Sequence, residues 1–418
     1  MKTKTVILAG GEGTRLSVLT AKRAKPAVPF AGRYRIIDFA LSNCVNSNLF
    51  DIMIIAQYRP HSLIRHIGGG GPWDLSREFT GGINIFSPFR SLSADWFSGT
   101  ADAIQQNFSF VKRDMPDLVL ILSGDHIYNM DYSRMIKNHI EKQAEVSLAT
   151  IHVDIADAHR FGIVDTDKDD RVISFLEKPE NPPSNYANMG IYLFNFDLLD
   201  KILWEDHLQE DSQHDFGRNI LPRLVNDGTR VFAYPYDGYW VDVGTINSYW
   251  QSHMDLLAEK PMLNLNDRSW IIHTRSEERS PAHIRTGAFI ENSLICDGCE
   301  IENGARVINS VLSPGVKIKA NVEINESIIL TDTIIEEGSK IHRGILDKRA
   351  HIGSNVIIGD PNSSEVLITM VGMNSLVPDN TIVEPGAIIG TDVIPSDYLK
   401  NIIKPREYIQ TRRLPNEI

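Results

Sequence analysis

The sequence predicts an α/β domain with a mostly parallel sheet, followed by a left-handed parallel β-helix of hexapeptide repeats. Strand-like and helix-like patterns alternate from residue 1 to about 250. Towards the C-terminus, apolar residues recur at every sixth position. A chain of 418 residues is also too long for one compact core. We therefore expect a first domain over 1–250, a helix and linker over 251–282, and a β-helix with a tail over 283–418.

Three apolar runs predict buried strands in the first domain. They cover residues 5–9, 51–58 and 118–122, and the last reads Leu-Val-Leu-Ile-Leu. A helix is expected to open at Gly99 and to run to about residue 113. A second helix, over 247–259, would end before Pro261.

The β-helix prediction depends on apolar residues that keep the same six-residue spacing over a long stretch of the chain. One run of six-residue spacing reads Val316, Val322, Ile328 and Ile334, and earlier and later runs extend it. The earlier run is Ile295, Ile301 and Val307; the later ones are Leu346, Ile352 and Ile358, then Leu376, Ile382, Ile388 and Ile394. Each of these residues is expected to point inward once per flat face of the coil.

Composition excludes several classes of protein. A net charge of −12 argues against a nucleic-acid surface. Three cysteines are too few for a disulfide framework, and the pair Cys296 and Cys299 lacks a second pair to hold a metal. No signal peptide or long apolar run is present, so we expect a cytoplasmic protein without a membrane partner.

A glycine-rich turn follows the first predicted strand. Gly10, Gly11 and Gly13 let backbone N–H groups approach anionic oxygens, and Arg15 and Lys25 then supply positive charge. The spacing fits neither a P-loop nor a dinucleotide fingerprint. The pattern predicts triphosphate binding with charge neutralisation, and a tight turn without a ligand is the alternative.

Two carboxylates follow apolar strands and precede helices. Asp125 comes directly after the 118–122 run, and Asp242 stands in Trp240-Val241-Asp242. Ligands of open α/β sheets bind at the carboxyl ends of the strands, and carboxylate oxygens are good ligands for Mg²⁺. We expect both to bind Mg²⁺; for Asp125 the alternative is a helix cap.

The run LAGGEGTRL, followed by KRAKPAVPFAGRYRIIDFALSNC, resembles the ADP-glucose pyrophosphorylase (glucose-1-phosphate adenylyltransferase) family of glycogen and starch synthesis. The wider sugar-nucleotidyltransferases share only the GGxGTRL and Lys-Pro portions. The resemblance implies a Rossmann-like nucleotidyltransferase domain. It also implies transfer from ATP to α-D-glucose 1-phosphate, giving ADP-glucose and pyrophosphate.

The resemblance also implies roles for individual residues. The catalytic residues would be Arg15, Lys25 and Asp125, with Mg²⁺ bound by Asp125 and Asp242. The nucleotide would contact Leu8, Ala9, Gly10, Gly11, Gly13, Thr14, Gly99, Thr100 and Ala101. From its place at the end of the 51–58 run, and not from the resemblance, we also expect Gln57 to contact the base. Glucose 1-phosphate would contact Phe97, Gly162, Glu177, Lys178 and Asn188.

Two positions depart from the family pattern. Phe97 stands where the family usually has Tyr, and Asn188 where it usually has Ser, which puts sugar selectivity in question. Lys22 and Arg23 match basic residues that bind phosphorylated effectors in the family. The resemblance further implies a homotetramer.

Three alternatives to this function stay open. The chain could be another sugar-1-phosphate nucleotidyltransferase, using UTP, dTTP or an amino-sugar substrate. It could combine nucleotidyl transfer with acetyl transfer on the β-helix. It could also be a non-catalytic regulatory subunit that only binds nucleotide.

Overall fold

The structure is a computed structural model that describes residues 1–77, 81–88, 96–363 and 365–414. The chain packs into two compact units. Unit 1 comprises Met1–Gly11, Ile37–Trp240 and Asn266–His273; unit 2 comprises Glu12–Ile36, Val241–Leu265 and Thr274–Ile418. These units group residues by packing, whereas the boundaries near 250 and 282 were set by sequence pattern and stay predictions.

The elements up to residue 255 alternate as an α/β pattern predicts. The strands are β1 (Thr3–Ala9), β2 (Pro29–Phe30), β3 (Tyr34–Arg35), β4 (Asp51–Ala56), β5 (Gly82–Phe86), β6 (Leu118–Ser123), β7 (His126–Tyr128), β8 (Val146–His152), β9 (Gly162–Thr166), β10 (Val172–Glu177), β11 (Tyr186–Asn195), β12 (Val231–Pro235) and β13 (Trp240–Asp242). The α-helices are α1 (Ile36–Asn46), α2 (His61–Ile67), α3 (Thr100–Gln106), α4 (Phe108–Lys112), α5 (Tyr132–Glu141), α6 (Phe196–His207), α7 (Leu221–Asn226) and α8 (Ile246–Asp255). Short 3₁₀ turns cover Thr14–Thr20, Lys25–Ala27, Gly71–Trp73, Ala158–Arg160 and Pro395–Asp397, and Phe216–Ile220 is a short π-helix.

The main sheet of unit 1 has the order β10-β9-β11-β6-β1-β4-β5, with β8 paired to β11 and β12 paired to β8. The central strands β6, β1, β4 and β5 are parallel. β11 runs antiparallel to β6, β8 and β9. The three apolar runs of the sequence are β1, β4 and β6, so these predictions are confirmed. Their carboxyl ends meet at one sheet edge, where open α/β sheets bind ligands.

The helix predicted from 99 to about 113 is two helices. α3 ends at Gln106, and α4 starts at Phe108. Asn107 lies between them with φ −104° and ψ 8°, and its side chain donates to the Ala103 carbonyl oxygen. An asparagine side chain that hydrogen-bonds the backbone competes with the helical pattern, which explains the break.

Residues 283–363 and 365–409 of unit 2 form a parallel β-helix of three sheets. Its strands are β14 (His283–Ile284), β15 (Phe289–Glu291), β16 (Leu294–Ile295), β17 (Glu300–Ile301), β18 (Arg306–Ile308), β19 (Val311–Leu312), β20 (Lys317–Ile318), β21 (Glu323–Asn325), β22 (Ile328–Ile329), β23 (Ile334–Ile335), β24 (Lys340–His342), β25 (Gly344–Leu346), β26 (His351–Ile352), β27 (Ile357–Ile358), β28 (Thr369–Val371), β29 (Leu376–Val377), β30 (Ile382–Val383), β31 (Ile388–Ile389), β32 (Ile402–Ile403) and β33 (Tyr408–Ile409). Every third strand pairs in the same sheet, as in β14-β17-β20, until the last coil, where β30 pairs with β32 and β31 with β33. The β-helix prediction is confirmed.

The strict six-residue phase is wrong in part. Paired residues of successive coils, such as Glu300 with Lys317 and Lys317 with Ile334, are 17 positions apart and not 18. Each such coil therefore has one segment of five residues, and the inward position slips by one. Several predicted positions do lie in the β-helix core, namely Ile301, Val307, Val316, Val322, Leu346, Ile352 and Ile358. Elsewhere the core residue is the neighbour of the predicted one: Ile329 instead of Ile328, Ile335 instead of Ile334, Val377 instead of Leu376, Val383 instead of Ile382, Ile389 instead of Ile388 and Val393 instead of Ile394.

Among the described residues, no helix combines the length and the apolar character that crossing a bilayer would require.

Candidate active site

The end of β1 meets β4 and β6 at the predicted ligand edge of unit 1. Gly124 N–H donates to the Leu8 carbonyl oxygen at 3.0 Å. A Cβ on Gly10 would lie 3.6 Å from the Gln57 side chain, so Gly10 is next to Gln57. Gln57 Nε2 donates to the Phe97 carbonyl oxygen at 3.3 Å. The structure thus brings together predicted nucleotide residues from the first strand, the second strand and the segment before α3.

Asp125 follows β6 at the same edge. The Ser123 hydroxyl donates to its carboxylate, and His126 Nε2 lies 3.5 Å from it. The His126 ring packs edge-on against Trp240, with centroids 5.1 Å apart, and Trp240 also contacts Phe161. The Nδ1 atom of His126 is buried and has no hydrogen-bond partner within the described ranges. Trp240, which lies next to Asp125 through His126, was not among the predicted site residues.

The predicted segment Gly99–Ala101 is fixed by a loop that sequence reasoning also missed. The carbonyl oxygen of His214 accepts from Ala101 N–H at 2.8 Å and from Asp102 N–H at 3.3 Å. Thr100 Oγ1 donates to Asp215 at 2.9 Å. The Ala101 N–H group is therefore already used in a hydrogen bond within the protein. The only signal in the sequence was the turn-like run His-Asp-Phe-Gly ahead of a helical pattern.

The predicted sugar residues Gly162 and Glu177 are opposite each other across β9 and β10. A Cβ on Gly162 would lie 2.9 Å from Glu177 Oε2, and a Cβ on Gly217 would lie 2.6 Å from it. Both glycines thus make room for this carboxylate. Lys178 has φ 47° and pairs with Glu177 at 2.8 Å. The Lys178 side chain is more than half exposed, so its ammonium is within reach of a phosphate.

Asn188 uses its amide within β11. Its Nδ2 donates to the Tyr192 hydroxyl at 2.8 Å, and its Oδ1 accepts from Gly190 N–H at 3.1 Å. These bonds span a register shift in the pairing of β11 with β8. Burial raises the pKa of Tyr192 above the usual tyrosine range. The Phe97 ring is buried in the unit 1 core.

In unit 2 the loop continues through Gly13, which has φ 69°. A Cβ there would lie 3.0 Å from Thr20 and 3.2 Å from Lys25, so glycine suits both the conformation and the space. The Thr20 hydroxyl donates to the Gly13 carbonyl oxygen at 2.8 Å. These contacts hold the start of the Thr14–Thr20 turn next to Lys25.

Lys25 and Asp242 form an ion pair, with Nζ 2.8 Å from Oδ1. The side chains are 6% and 18% exposed. No carboxylate lies close to Lys25 in the local sequence, and its partner Asp242 is 217 positions away. A predicted catalytic cation and a predicted metal ligand are therefore brought together.

Thr14 and Arg15 are exposed at the start of the 3₁₀ turn. Within the part of the chain that the structure describes, Arg15 has no ion pair and no hydrogen bond from its side chain. An exposed guanidinium is available for bidentate bonds to phosphate oxygens.

The two predicted effector residues differ in exposure. Lys22 pairs with Asp392 and is about one-third exposed. Arg23 is 3% exposed, and its Nη2 atom bonds both oxygens of the fully buried Asp347 at 2.9 Å. An effector that bound Arg23 would have to compete with this carboxylate.

Asp125 and Asp242 fit a magnesium ion by their chemistry. Each offers carboxylate oxygens, and each side chain is partly exposed, at 24% and 18%. Mg²⁺ commonly binds one or two carboxylates and completes its shell with water and substrate phosphates. The ion itself remains a proposal.

A glycine-rich turn after a parallel strand, two cations following that turn and carboxylates following later strands are features typical of enzymes that transfer phosphate-linked groups. Comparison with known families agrees, since the "Nucleotidyl transferase" model matches residues 4–259. A second model, "GlmU-like, C-terminal hexapeptide", matches residues 280–370.

Curated relatives narrow the class. The chain is 46% identical to the glucose-1-phosphate adenylyltransferase of Fervidobacterium nodosum, over 94% of this chain and 96% of the relative. It is 48% identical to that of Thermomicrobium roseum, over 97% of this chain and 96% of the relative. With that of Clostridium novyi it shares 50% identity over 76% of this chain and 82% of the relative. The chain belongs to the glucose-1-phosphate adenylyltransferase family.

Proposed function

We propose that this chain transfers the adenylyl group of ATP to α-D-glucose 1-phosphate, giving ADP-glucose and pyrophosphate, the step that supplies ADP-glucose for glycogen synthesis. The observation that carries the proposal is the near-full-length match to glucose-1-phosphate adenylyltransferases at 46–48% identity. The exposed Arg15 and the Lys25–Asp242 pair supply charged groups that this reaction needs.

In this reaction an oxygen of the sugar phosphate attacks the α-phosphorus of ATP in line, and pyrophosphate leaves. No covalent intermediate with the enzyme is needed, so catalysis consists mainly of positioning and charge stabilisation. Arg15 neutralises the leaving β- and γ-phosphates, and Lys25 stabilises charge on the transferring phosphate. The Glu177 carboxylate accepts from sugar hydroxyls, while Lys178 binds the sugar phosphate.

Mg²⁺ is the cofactor of this proposal, held by Asp125 and Asp242. When bound, it neutralises phosphate charge and orients the triphosphate. Lys25 balances the charge of Asp242. The requirement is tested by activity measured after EDTA treatment and again after Mg²⁺ is added back.

Regulation by phosphorylated metabolites belongs to the proposal as well, with Lys22 as the accessible contact and Arg23 bound to Asp347. A homotetramer in the cytoplasm is the expected form. Light scattering after size exclusion tests the subunit number.

A nucleotide panel tests the function directly. Purified chain with glucose 1-phosphate and Mg²⁺ is given ATP, UTP, dTTP, CTP or GTP, and pyrophosphate is measured. We expect release with ATP to exceed release with each other nucleotide. Preference for UTP or dTTP would reject the adenylyl assignment, and no release with any nucleotide would reject the enzyme.

A further inference from the structure

Unit 1 contains a cavity of about 380 Å³ that involves none of the predicted substrate residues. It lies among the chain after β7, the start of α5, the end of β12 and the segment 267–270. This volume is at the lower end of the range for small-molecule sites, so its ligand would be small.

The aromatic side of the cavity is fixed by hydrogen bonds. Trp270 Nε1 donates to Asn43 Oδ1 at 3.0 Å, and the Tyr236 hydroxyl donates to the Asn129 carbonyl oxygen at 2.6 Å. Tyr234 also lines the cavity. Rings held in this way offer flat apolar surface to a ligand without an ordering cost at binding.

The charged side holds three carboxylates and one guanidinium, from Asp131, Asp237, Asp267 and Arg134. Arg134 Nε lies 3.3 Å from Asp131, and the Arg134 side chain is 79% exposed. Arg134, Asp131 and Asp237 all lie close enough to Tyr234 to act on its hydroxyl electrostatically. The cavity therefore presents hydrogen-bond acceptors and donors together.

These groups select among classes of ligand. An anion such as a phosphate ester would face three carboxylates against one cation. An organic cation would meet a net negative charge here and is the competing class of ligand, which spermidine tests below. A purely apolar ligand would leave the charged groups without water or partners. A neutral ring compound with many hydroxyl groups satisfies both sides, because its hydroxyls donate to carboxylates and accept from Arg134, while its C–H face covers an aromatic ring.

We propose that this cavity is a binding site for a neutral saccharide of one or two sugar units, separate from the substrate site. Trp270 and Tyr234 provide the stacking surface, and Asp131, Asp237 and Arg134 bind the hydroxyl groups. The inference does not depend on the proposed function, since no lining residue has a role in that reaction.

The test is to measure binding of glucose and of maltose to the full-length chain by saturation-transfer NMR and by calorimetry. We expect binding that Arg134→Ala and Asp237→Asn each weaken about tenfold, as loss of one hydrogen bond to a charged group would do. Both side chains project from exposed positions, so the variants should fold. Lys137→Ala, an exposed change on the same helix outside the cavity, is the matched control and should bind as wild type.

Two competitions make the assignment specific. Saturating concentrations of glucose 1-phosphate and ADP, added together, should leave maltose binding unchanged, because both compounds bind at the substrate site. Inorganic phosphate and spermidine should not bind in an Arg134-dependent way. The proposal is overturned if neither sugar binds, if both variants bind like wild type, if glucose 1-phosphate displaces the sugar, or if phosphate or spermidine takes the site instead.

Discussion

At the scale of single residues, the charges of the candidate site fall into two kinds. Lys25 is buried and bonded to Asp242, whereas Arg15 is exposed and has no partner within the described residues. A buried, paired lysine contributes to both folding and chemistry. An exposed, unpaired arginine contributes little to folding, so its substitution should report on catalysis alone.

Arg15→Ala should lower kcat by about 100- to 1000-fold, because one transition-state contact to the leaving phosphates is lost. Its Tm should equal that of wild type, since the Arg15 side chain is exposed and an exposed arginine contributes little to folding. Arg268→Ala, another exposed arginine, serves as control and should keep both values. Turnover of Arg15→Ala close to wild type would show that this residue does not bind the leaving group.

Lys25→Met should lower the free energy of unfolding by about 1–3 kcal/mol, because the partly buried Asp242 carboxylate loses its partner. Lys25→Met with Asp242→Asn should recover part of this loss, since the remaining charge is also removed. Urea denaturation of the two single variants and the double variant completes the cycle. Strictly additive losses would mean that the 2.8 Å ion pair contributes nothing.

Gly11→Ala tests the glycine turn without disturbing the fold. A Cβ at Gly11 would meet no atom within 4 Å, so the free energy of unfolding should not change. If phosphates lie against this backbone, KM for ATP should rise at least about tenfold, because the methyl group occupies their space. Gly71→Ala, where a Cβ is equally free, is the matched control. An unchanged KM for ATP in Gly11→Ala would place the phosphates elsewhere.

At the scale of elements, α8 fixes part of the chain that contains Lys25. The Tyr249 hydroxyl donates to the Pro29 carbonyl oxygen at 2.6 Å, and Ala31 N–H donates to His253 Nε2 at 3.1 Å. His253 Nδ1 bonds the Tyr249 carbonyl oxygen at 2.8 Å. Nε2 must therefore be an unprotonated acceptor, and the ring is neutral in the folded chain.

This arrangement gives a pH dependence of stability. Burial lowers the pKa of His253 from 6.5 to about 4. Between these two pH values the unfolded chain binds a proton at His253 that the folded chain does not. The contribution of neutral His253 to the free energy of unfolding is therefore fully present above pH 6.5 and is lost as the pH falls towards 4. The contribution of this one group is about 3 kcal/mol.

His253→Gln should therefore show a flatter fall in the free energy of unfolding between pH 6.5 and 4, measured by urea denaturation at several pH values. The exposed His283→Gln should follow the wild-type curve. A His253→Gln curve parallel to wild type would contradict a neutral, buried His253.

The loop before α7 is the second element that organises the site. The His214 carbonyl oxygen would lie 2.2 Å from a Cβ on Gly99, so no larger residue fits there without moving backbone. Gly99→Ala should lower Tm and raise KM for ATP together, because α3 and the Gly99–Ala101 segment shift as one. Thermal unfolding and initial-rate kinetics measure the two effects. An unchanged Tm would mean that the loop containing His214 can move away from the added methyl group at little cost in stability.

At the scale of the whole molecule, periodic features could be predicted from the sequence and long-range pairings could not. The strands β1, β4 and β6 and the β-helix follow from local apolar patterns. The inward residues of the coils were missed by one position where a coil has 17 residues, because a fixed period carries an error forward. The pairs of Lys25 with Asp242 and of Arg23 with Asp347 join residues 217 and 324 positions apart, which no local pattern records.

The central claim is that an oxygen of glucose 1-phosphate attacks the α-phosphorus of ATP. The most direct measurement follows the label from two ATP samples, one labelled at the α-phosphorus and one at the γ-phosphorus, with purified chain, glucose 1-phosphate and Mg²⁺. The account predicts the α label in ADP-glucose and the γ label in pyrophosphate. Retention of the α label in free ADP or AMP, with no labelled sugar nucleotide, would contradict it.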